Sequence, residues 1–302
     1  MIFAHVLLLV SSNCPPRKPL DASPLPREPR WLAKGVPFFV RWEDYVPRFL
    51  CDLTNIFFVQ LGANCGLNVP RCTGGGDPVY DYASACGWRG VVLEPVRSTF
   101  NMLRKNYAPM PGVQPLHMAA YGGTTGLEPS TMQVTSHARR AKSQNNHLLP
   151  DSKGNSSRMR NRKAEKAEKT TAYSMLGLWR KLALTKVDLL VIDIEGAEPT
   201  VLSKALPSPL PRLVLFEHSL LRPSDINRIN ASLISQGYEL VAELKHKDAG
   251  AVERNLPAQD MLYGLRSPPS CSTHVTRAGA ISSGYPRAPH AAAARQLVDV
   301  VL

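Results

Sequence analysis

Acidic and imidazole side chains stand directly after three short apolar runs in this sequence. They are Glu94 after one run, Asp193 and Glu195 after another, and Glu217 and His218 after a third. Carboxylates and imidazoles accept protons from weakly acidic hydroxyls. If the runs are parallel strands, their carboxyl ends meet at one edge of a sheet, where open α/β sheets bind ligands. We therefore expect Asp193, Glu195 or His218 to provide the base of a reaction centre.

A glycine-bearing turn, Gly62-Ala63-Asn64-Cys65-Gly66, follows the first apolar run. Glycine lets the backbone approach a ligand and adopt positive φ, and Asn64 tolerates that conformation while offering an amide. A tight turn without a ligand explains the glycines equally well. Glu94 favours a nucleoside site, because a carboxylate at the next strand end accepts both ribose hydroxyls. The alternative is an acid placed at a helix N-terminus, which Pro95 suits.

Apolar runs alternate with helical patterns, which is typical of a parallel sheet covered by helices on both faces. The predicted strands are Ile56–Leu61, Gly90–Leu93, Val113–Met118, Val187–Ile192, Arg212–Phe216, Tyr238–Leu244 and Met261–Leu265. The predicted helices are Pro78–Cys86, Ser98–Tyr107, Glu198–Leu206 and Ser224–Gln236. Ser224 is the predicted N-cap of the last helix. We therefore predict an α/β fold with a doubly wound, mostly parallel, seven-stranded sheet.

The sequence divides into a leader, a folded domain and a tail. Residues 1–37 are predicted to be a leader or linker, because their prolines prevent regular structure. The domain spans 38–266, with a flexible basic insertion at about 122–170 where apolar periodicity disappears. Residues 267–302 are predicted to be a disordered tail. Ile2–Val10 is either a buried or frayed segment of a cytoplasmic protein or the hydrophobic region of a secretory signal.

The formal net charge of +12 raises the question of an anionic partner. Ten basic and three acidic residues between His137 and Lys169 account for +7 of it. That stretch has no aromatic residues to stack on bases, so nucleic acid is not expected as a partner. No apolar run approaches the roughly 20 residues that cross a bilayer, so the mature chain is expected to have no transmembrane segment.

Neither the cysteines nor the acids predict a metal site. The six cysteines have irregular spacing and form no C-x-x-C pair, so we expect free thiols in a reducing compartment. Asp193 and Glu195 offer oxygen ligands that suit magnesium, but a lone acid pair is more often hydrogen-bonded than metallated.

Seven landmarks appear in order between Asn55 and Leu265. They are Gly62-Ala63-Asn64-Cys65-Gly66, Asp77-Pro78, Gly87-Trp88-Arg89-Gly90, Leu93-Glu94-Pro95, Asn106-Tyr107, Asp188-Leu189-Leu190-Val191-Ile192-Asp193-Ile194-Glu195-Gly196-Ala197-Glu198 and Glu217-His218. In this combination the sequence resembles the FkbM-type methyltransferases, which are class I S-adenosylmethionine-dependent enzymes with a Rossmann-like fold.

The resemblance implies S-adenosylmethionine as cofactor and O-methylation of a hydroxyl on a sugar or secondary metabolite, with a small-molecule or glycan acceptor. The implied cofactor residues are Gly62, Asn64 and Gly66 on the methionine side, Glu94 at the ribose, and Ala119 or Ala120 beside the adenine. The same resemblance places Asp193 and Glu195 at the reaction centre.

Three features depart from the family pattern. Cys65 stands where similar chains often carry Asp, Val69–Gly75 inserts residues before Asp77-Pro78, and the 122–170 insertion is long and basic. A catalytically inactive, methyltransferase-fold binding module is therefore an alternative. An oxidoreductase with a nucleotide cofactor is another, although the turn lacks G-x-G-x-x-G.

Overall fold

The computed structural model describes residues 14, 30–31, 42–50, 53–66, 77–122, 129–136, 146–149, 167–245 and 260–266. The strands are β1 (Arg30–Trp31), β2 (Phe57–Leu61), β3 (Arg89–Leu93), β4 (Val113–Leu116), β5 (Ala119–Tyr121), β6 (Ser130–Ser136), β7 (Asn146–Leu149), β8 (Ala167–Ser174), β9 (Leu189–Ile192), β10 (Leu213–Glu217), β11 (Tyr238–Lys245) and β12 (Asp260–Leu265). The helices are α1 (Trp42–Phe49), α2 (Tyr80–Cys86), α3 (Arg97–Tyr107), α4 (Met175–Lys181), α5 (Glu198–Leu202) and α6 (Pro223–Ser235).

Eight of the described strands form one sheet in the order β1-β11-β12-β10-β9-β2-β3-β4. The strands from β10 to β4 in this order pair in parallel, whereas β12 runs antiparallel to both β10 and β11. The seven predicted strands are all present in this sheet, and β1 adds an eighth at its edge. The predicted fold class, a doubly wound and mostly parallel α/β sheet, is therefore confirmed.

The central strands are apolar on both faces because helices cover both. In β9, Leu189 and Val191 belong to one buried cluster, and Leu190 and Ile192 belong to the other. This burial explains why β9 has no alternation of apolar and polar residues in the sequence. Parallel strands point their carboxyl ends the same way, so the turns after β2, β3, β9 and β10 lie along one edge of the sheet.

Helix α1, which the sequence did not predict, packs through buried aromatic rings. The Trp42 and Trp88 ring centroids are 6.2 Å apart, and those of Tyr82 and Trp88 are 5.1 Å apart. Trp88 Nε1 donates to the Leu53 carbonyl at 2.6 Å, and Trp42 Nε1 donates to the Pro78 carbonyl at 2.7 Å. Both indoles therefore bury their rings without leaving the N–H unpaired.

The predicted flexible insertion at about 122–170 is wrong for the parts that the structure describes. Strands β6 and β7 and the start of β8 lie within it, and they join β5 in a second sheet of order β5-β8-β6-β7. Val134 and Thr170 are buried in these strands. Their sequences are mostly polar, so no apolar period revealed them. Ile2–Val10 and the predicted tail at 267–302 lie outside the described residues.

A disulfide joins Cys14 to Cys86, 72 positions apart in the chain. Cys65 is disulfide-bonded as well. The prediction of free thiols is therefore wrong for these three cysteines, because sequence spacing does not reveal which cysteines meet in the fold. The prediction that residues 1–37 lack regular structure is also wrong in part, since Arg30–Trp31 pairs in parallel with β11.

Helix α6, the longest of the described helices, begins at Pro223 with Arg222 as its N-cap. The prediction of Ser224 as N-cap is therefore wrong. Proline is favoured in the first turn of a helix, where a backbone N–H would have no partner within the helix, so the helix already begins at Pro223. None of the helices in the described residues is both long and apolar enough to cross a membrane.

Candidate functional site

A cleft with about 470 Å³ of space, part of it open to solvent, lies at the carboxyl ends of β2, β3 and β9. It is lined by Gly62, Asn64, Leu93, Glu94, Pro95, Met118, Ala119, Ala120, Asp193, Ile194 and Glu195. The structure thus brings together seven of the predicted site residues, and it leaves Gly66 and His218 outside the lining.

The glycine turn after β2 packs against both neighbouring strands. Gly62 N and Ala63 N donate to the Leu93 carbonyl at 3.0 and 2.9 Å. Gly62 has φ +77°, and a Cβ built on it would lie 1.7 Å from the Asp193 carbonyl oxygen. Glycine is therefore required at position 62 for both backbone conformation and space. Asn64 also has positive φ, at 49°, as its residue type allows.

Gly66 lies behind the wall of the cleft. A Cβ on Gly66 would lie 2.6 Å from Tyr107 Cε2, so this glycine allows α3 to approach the turn. Cys65 is also buried and outside the lining, and its carbonyl accepts a hydrogen bond from Asn106. The Cys65 side chain therefore does not obstruct the cleft.

Asn64, which lines the cleft, presents an unsatisfied acceptor. Its Oδ1 is buried and has no hydrogen-bond partner among the described residues. Such atoms are rare in folded proteins because desolvation without a hydrogen bond is costly. A ligand with an ammonium or hydroxyl donor would satisfy this oxygen. S-adenosylmethionine carries both kinds of donor, so Asn64 and the space above Gly62 fit that cofactor.

Glu94 follows β3 directly and lines the cleft. Its side chain is buried, and one carboxylate oxygen accepts the Val96 backbone N–H at 2.8 Å. Burial raises the pKa of Glu94 to about 8, although the backbone N–H groups of Val96 and Asn64 partly offset this. The carboxyl group is therefore mostly protonated at neutral pH. In that form it both accepts and donates hydrogen bonds, which matches a ribose diol.

Asp193, Glu195 and Glu217 place carboxylate oxygens within 4.8 Å of one another. Asp193 directly follows β9, and Glu217 is the last residue of β10. Ile192 lies opposite Phe216 in this parallel pair of strands. The register therefore sets the two acids side by side, and their carboxyl groups hydrogen-bond. The sequence shows Glu217 only as the neighbour of His218 at the end of an apolar run and does not link it to Asp193. The strand register reveals it as a third member of the acid group.

Burial and neighbouring carboxylates raise the pKa values of Asp193 and Glu195. Burial raises the pKa of Glu195 to about 8, and the carboxylates of Glu217 and Glu198 add to the increase. The pKa of Asp193 is raised well above its usual value by desolvation within the cleft and by Glu217 and Glu195. The Asp193 side chain still reaches solvent, which screens the desolvation. The adjacent carboxylates are therefore the main cause of the raised pKa of Asp193.

Glu195 also has an unusual backbone. Its φ is +55°, a conformation that residues with a Cβ seldom adopt, and Gly196 follows with φ +93°. Strain of this kind persists where the surrounding structure enforces it, and it is concentrated at functional sites. The turn holds the half-buried Glu195 carboxylate at the cleft wall next to Asp193.

The oxygens of Asp193, Glu195 and Glu217 are spaced closely enough to bind one divalent cation. Acidic clusters without a metal are common, and the hydrogen bond between Asp193 and Glu217 already accounts for two of the three acids. The expectation of no metal stays a prediction.

His218 lies beside the acid group but outside the cleft lining. Its Nε2 is buried and has no hydrogen-bond partner among the described residues. Burial lowers the pKa of His218, against the opposing influence of Asp260, Glu243 and Glu217. The imidazole is therefore mostly neutral at pH 7, and it could accept a proton from a hydroxyl that came within hydrogen-bonding distance.

Glu198, the first residue of α5, makes a structural contact with the preceding turn. One of its carboxylate oxygens accepts the Ile194 N–H at 2.8 Å and thereby closes the turn before α5. Burial raises the pKa of Glu198 to about 7. Glu198 is absent from the cleft lining, so its contribution to the site is to shape the turn that carries Glu195.

A glycine turn, a buried acid and a third strand end surround one cleft, and the sheet order is that of class I methyltransferases. The family model "Methyltransferase FkbM domain" matches residues 64–240, which is more than half of the chain. The protein therefore belongs to the FkbM methyltransferase family, and its cofactor is S-adenosylmethionine. A search of curated proteins finds no significant match.

Solved structures of methyltransferases have only a loose likeness to this chain. Fibrillarin of Aeropyrum pernix, in complex with natively bound S-adenosyl-L-methionine, is 8% identical, with 70% of this chain and 67% of that chain covered and a TM-score of 0.37. A putative RNA methyltransferase from Pyrococcus horikoshii is 10% identical, with 72% and 77% covered and a TM-score of 0.35. Likeness at this level identifies no substrate.

Proposed function

We propose that this protein transfers the methyl group of S-adenosylmethionine to a hydroxyl oxygen of a sugar or secondary metabolite. The acceptor is a small molecule or a glycan. The observation that carries the proposal is the single cleft in which Gly62, Asn64 and Glu94 face Asp193 and Glu195. Cofactor-type and proton-accepting groups therefore share one space.

The cofactor end of the cleft supports a nucleoside with an amino-acid tail. Asn64 Oδ1 is buried and unsatisfied among the described residues, so it suits a donor such as the cofactor's ammonium group. Glu94 is buried and can both donate and accept, so it suits the ribose hydroxyls. Ala119 and Ala120 line the same cleft with small apolar groups, which leaves room for a flat base.

The acid group supports an alcohol as the acceptor. S-adenosylmethionine supplies an electrophilic methyl group, and an alcohol oxygen must lose its proton as it takes that methyl. Glu195, with a half-buried carboxylate at the cleft wall and a pKa of about 8, is placed to accept the proton in its ionised form, which predominates above about pH 8. Asp193 would then orient the hydroxyl. His218 lies outside the lining and is the reserve candidate for the base.

The charge around the cleft bears on the substrate class. Asp193, Glu195 and Glu217 crowd acidic groups where the acceptor would enter. The described residues that line the cleft include no Lys or Arg, so a phosphate or carboxylate at this place would lose hydration without gaining an opposite charge. Neutral polyols are compatible with this environment and hydrogen-bond to carboxyl groups. The lining of the cleft therefore favours sugars and uncharged metabolites over nucleic acid.

The first test is calorimetric titration of the full chain with S-adenosylhomocysteine and, separately, with NAD. We expect S-adenosylhomocysteine to bind and Glu94→Ala to weaken binding by about 1.5 to 3 kcal/mol, roughly 10- to 150-fold, through loss of hydrogen bonds to the ribose. Asp188→Ala is the matched control, because Asp188 is a buried acid that accepts the Phe57 N–H at the opposite end of the sheet. It should lower stability and leave affinity unchanged.

Equal affinity of wild type and Glu94→Ala would contradict the cofactor assignment. Binding of NAD in place of S-adenosylhomocysteine would support the oxidoreductase alternative. Binding of S-adenosylhomocysteine with no methyl transfer to any sugar, polyol or metabolite hydroxyl would support a binding module without activity.

A further inference from the structure

Two sequence landmarks, Asp77-Pro78 and Asn106-Tyr107, lie outside the cleft lining. They are far apart in the sequence but meet at the back of the glycine turn. Asn106 and Tyr107 are the last residues of α3, and Asp77 precedes α2. The proposed function gives these residues no role, although their side chains contact the turn or its neighbours.

Asn106 makes the direct contact with the turn. Its Nδ2 donates to the Cys65 carbonyl at 2.6 Å, although the two residues are 41 positions apart. Cys65 lies between Asn64, which lines the cleft, and Gly66, which packs on α3. A hydrogen bond to the carbonyl of residue 65 fixes the peptide plane that joins residues 65 and 66, and thereby restricts the backbone next to Asn64.

Tyr107 and Asp77 hold Asn106 in place. The Tyr107 hydroxyl donates to Asp77 Oδ2 at 2.7 Å, and Asp77 Oδ1 accepts the Val79 and Tyr80 N–H groups at 2.9 and 3.1 Å. The Tyr80 hydroxyl donates to the Asn106 carbonyl at 3.2 Å. The ends of α2 and α3 are thus bound to each other, and Asn106 stands on a rigid support.

We propose that Asn106 is a positioning residue for the amino-acid end of the cofactor. By fixing the Cys65 carbonyl, it holds the neighbouring backbone in place and with it the side-chain amide of Asn64. The inference rests on the proposed assignment of Gly62, Asn64 and Glu94 to the cofactor. Glu94 is held by the Val96 N–H as well as by the Asn64 N–H, so part of its support is independent of the glycine turn. Loss of the Asn106 bond should therefore affect one end of the cofactor more than the other.

Asn106→Asp is the test variant, because it keeps the side-chain shape and removes the N–H donor. Asn101→Asp is the matched control, since Asn101 is an exposed residue of the same helix and receives the same added charge. Calorimetric titration compares S-adenosylhomocysteine with 5′-methylthioadenosine, which lacks the amino-acid end. In Asn106→Asp we expect about tenfold weaker S-adenosylhomocysteine binding, the size of one lost hydrogen bond, and less than a twofold change for 5′-methylthioadenosine. Asn101→Asp should change neither affinity.

Equal weakening of both ligands in Asn106→Asp would overturn the inference, because a loosened domain affects the whole site. An unchanged affinity for S-adenosylhomocysteine would overturn it as well, while leaving the proposed function intact. If wild-type protein bound neither ligand, the proposed function would fail first and the inference with it. Should Asn106→Asp fail to fold, Asn106→Ala measured with the same two ligands decides by the same ratio.

Discussion

Removal of the disulfide between Cys14 and Cys86 should destabilise the protein strongly. The bond ties residue 14 to the last residue of α2, and Cys14 packs against the buried cluster that contains Trp42 and Trp88. The double variant Cys14→Ala/Cys86→Ala removes the bond without leaving a thiol that could pair elsewhere.

The separation of the two cysteines sets the expected magnitude. The bond closes a loop of 72 residues. In the chain-entropy description, a loop of that length restricts the unfolded state by about 4 kcal/mol at 25 °C. For a domain of this size each kcal/mol corresponds to roughly 2 to 4 °C, so the melting temperature should fall by about 8 to 16 °C. Cys86 is 9% exposed, so its truncation adds little loss of packing by comparison.

The assay is urea unfolding of wild type and the double variant, followed by circular dichroism. Ser84→Ala is the control, because Ser84 is an exposed residue of the same helix and should leave stability nearly unchanged. Alkylation of the unfolded wild type without reductant gives a direct count of free thiols. A loss of less than about 1 kcal/mol, together with alkylation of Cys14 and Cys86, would refute the reasoning. Strong destabilisation would favour the secretory alternative for Ile2–Val10, since such bonds persist in oxidising compartments.

Two further predictions concern the cleft. Gly62→Ala should abolish S-adenosylhomocysteine binding in calorimetry, because its Cβ would lie 1.7 Å from the Asp193 carbonyl oxygen. Gly87→Ala, with similar φ and nothing within 4 Å, should cost only about 1 kcal/mol of stability, and equal behaviour of both variants would contradict the steric argument. With an acceptor in hand, kcat/KM should rise with pH through about 8 as Glu195 loses its proton. Glu217→Gln removes an adjacent carboxylate and should move this limb to lower pH by roughly one unit, and an unmoved limb would exclude Glu195 as the base.

The predictable part of the fold follows from local composition. Wholly apolar runs such as Leu189–Ile192 must be buried on both faces, and short runs of that kind between helical patterns fit only a parallel sheet with helices on each side. The strand ends then follow from where the runs stop. This is why Glu94 and Asp193 could be placed at one edge before any tertiary contact was known.

Strands β6 and β8 could not be predicted in the same way. Their sequences are mostly Ser, Thr, Lys and Gln, and their partners are distant in the chain, with Ser130 opposite Ala172 and Thr135 opposite Ala167. Hydrogen bonding to such a partner stabilises a polar segment as a strand although its own residues carry no period. The long basic insertion separates β6 from β8 in the sequence, so no local pattern predicted that they pair.

The sequence by itself determined the class of fold, the residues that form the central strands and the acids at the carboxyl ends of those strands. Each of these depends on neighbours a few positions away in the chain. Tertiary structure alone decided the membership of the site. Glu217 joins Asp193 only through the register of β10 against β9, and Asn106 reaches Cys65 only because α3 ends behind the glycine turn. These contacts join residues tens of positions apart, and the geometry of the packed sheet and helices determines them.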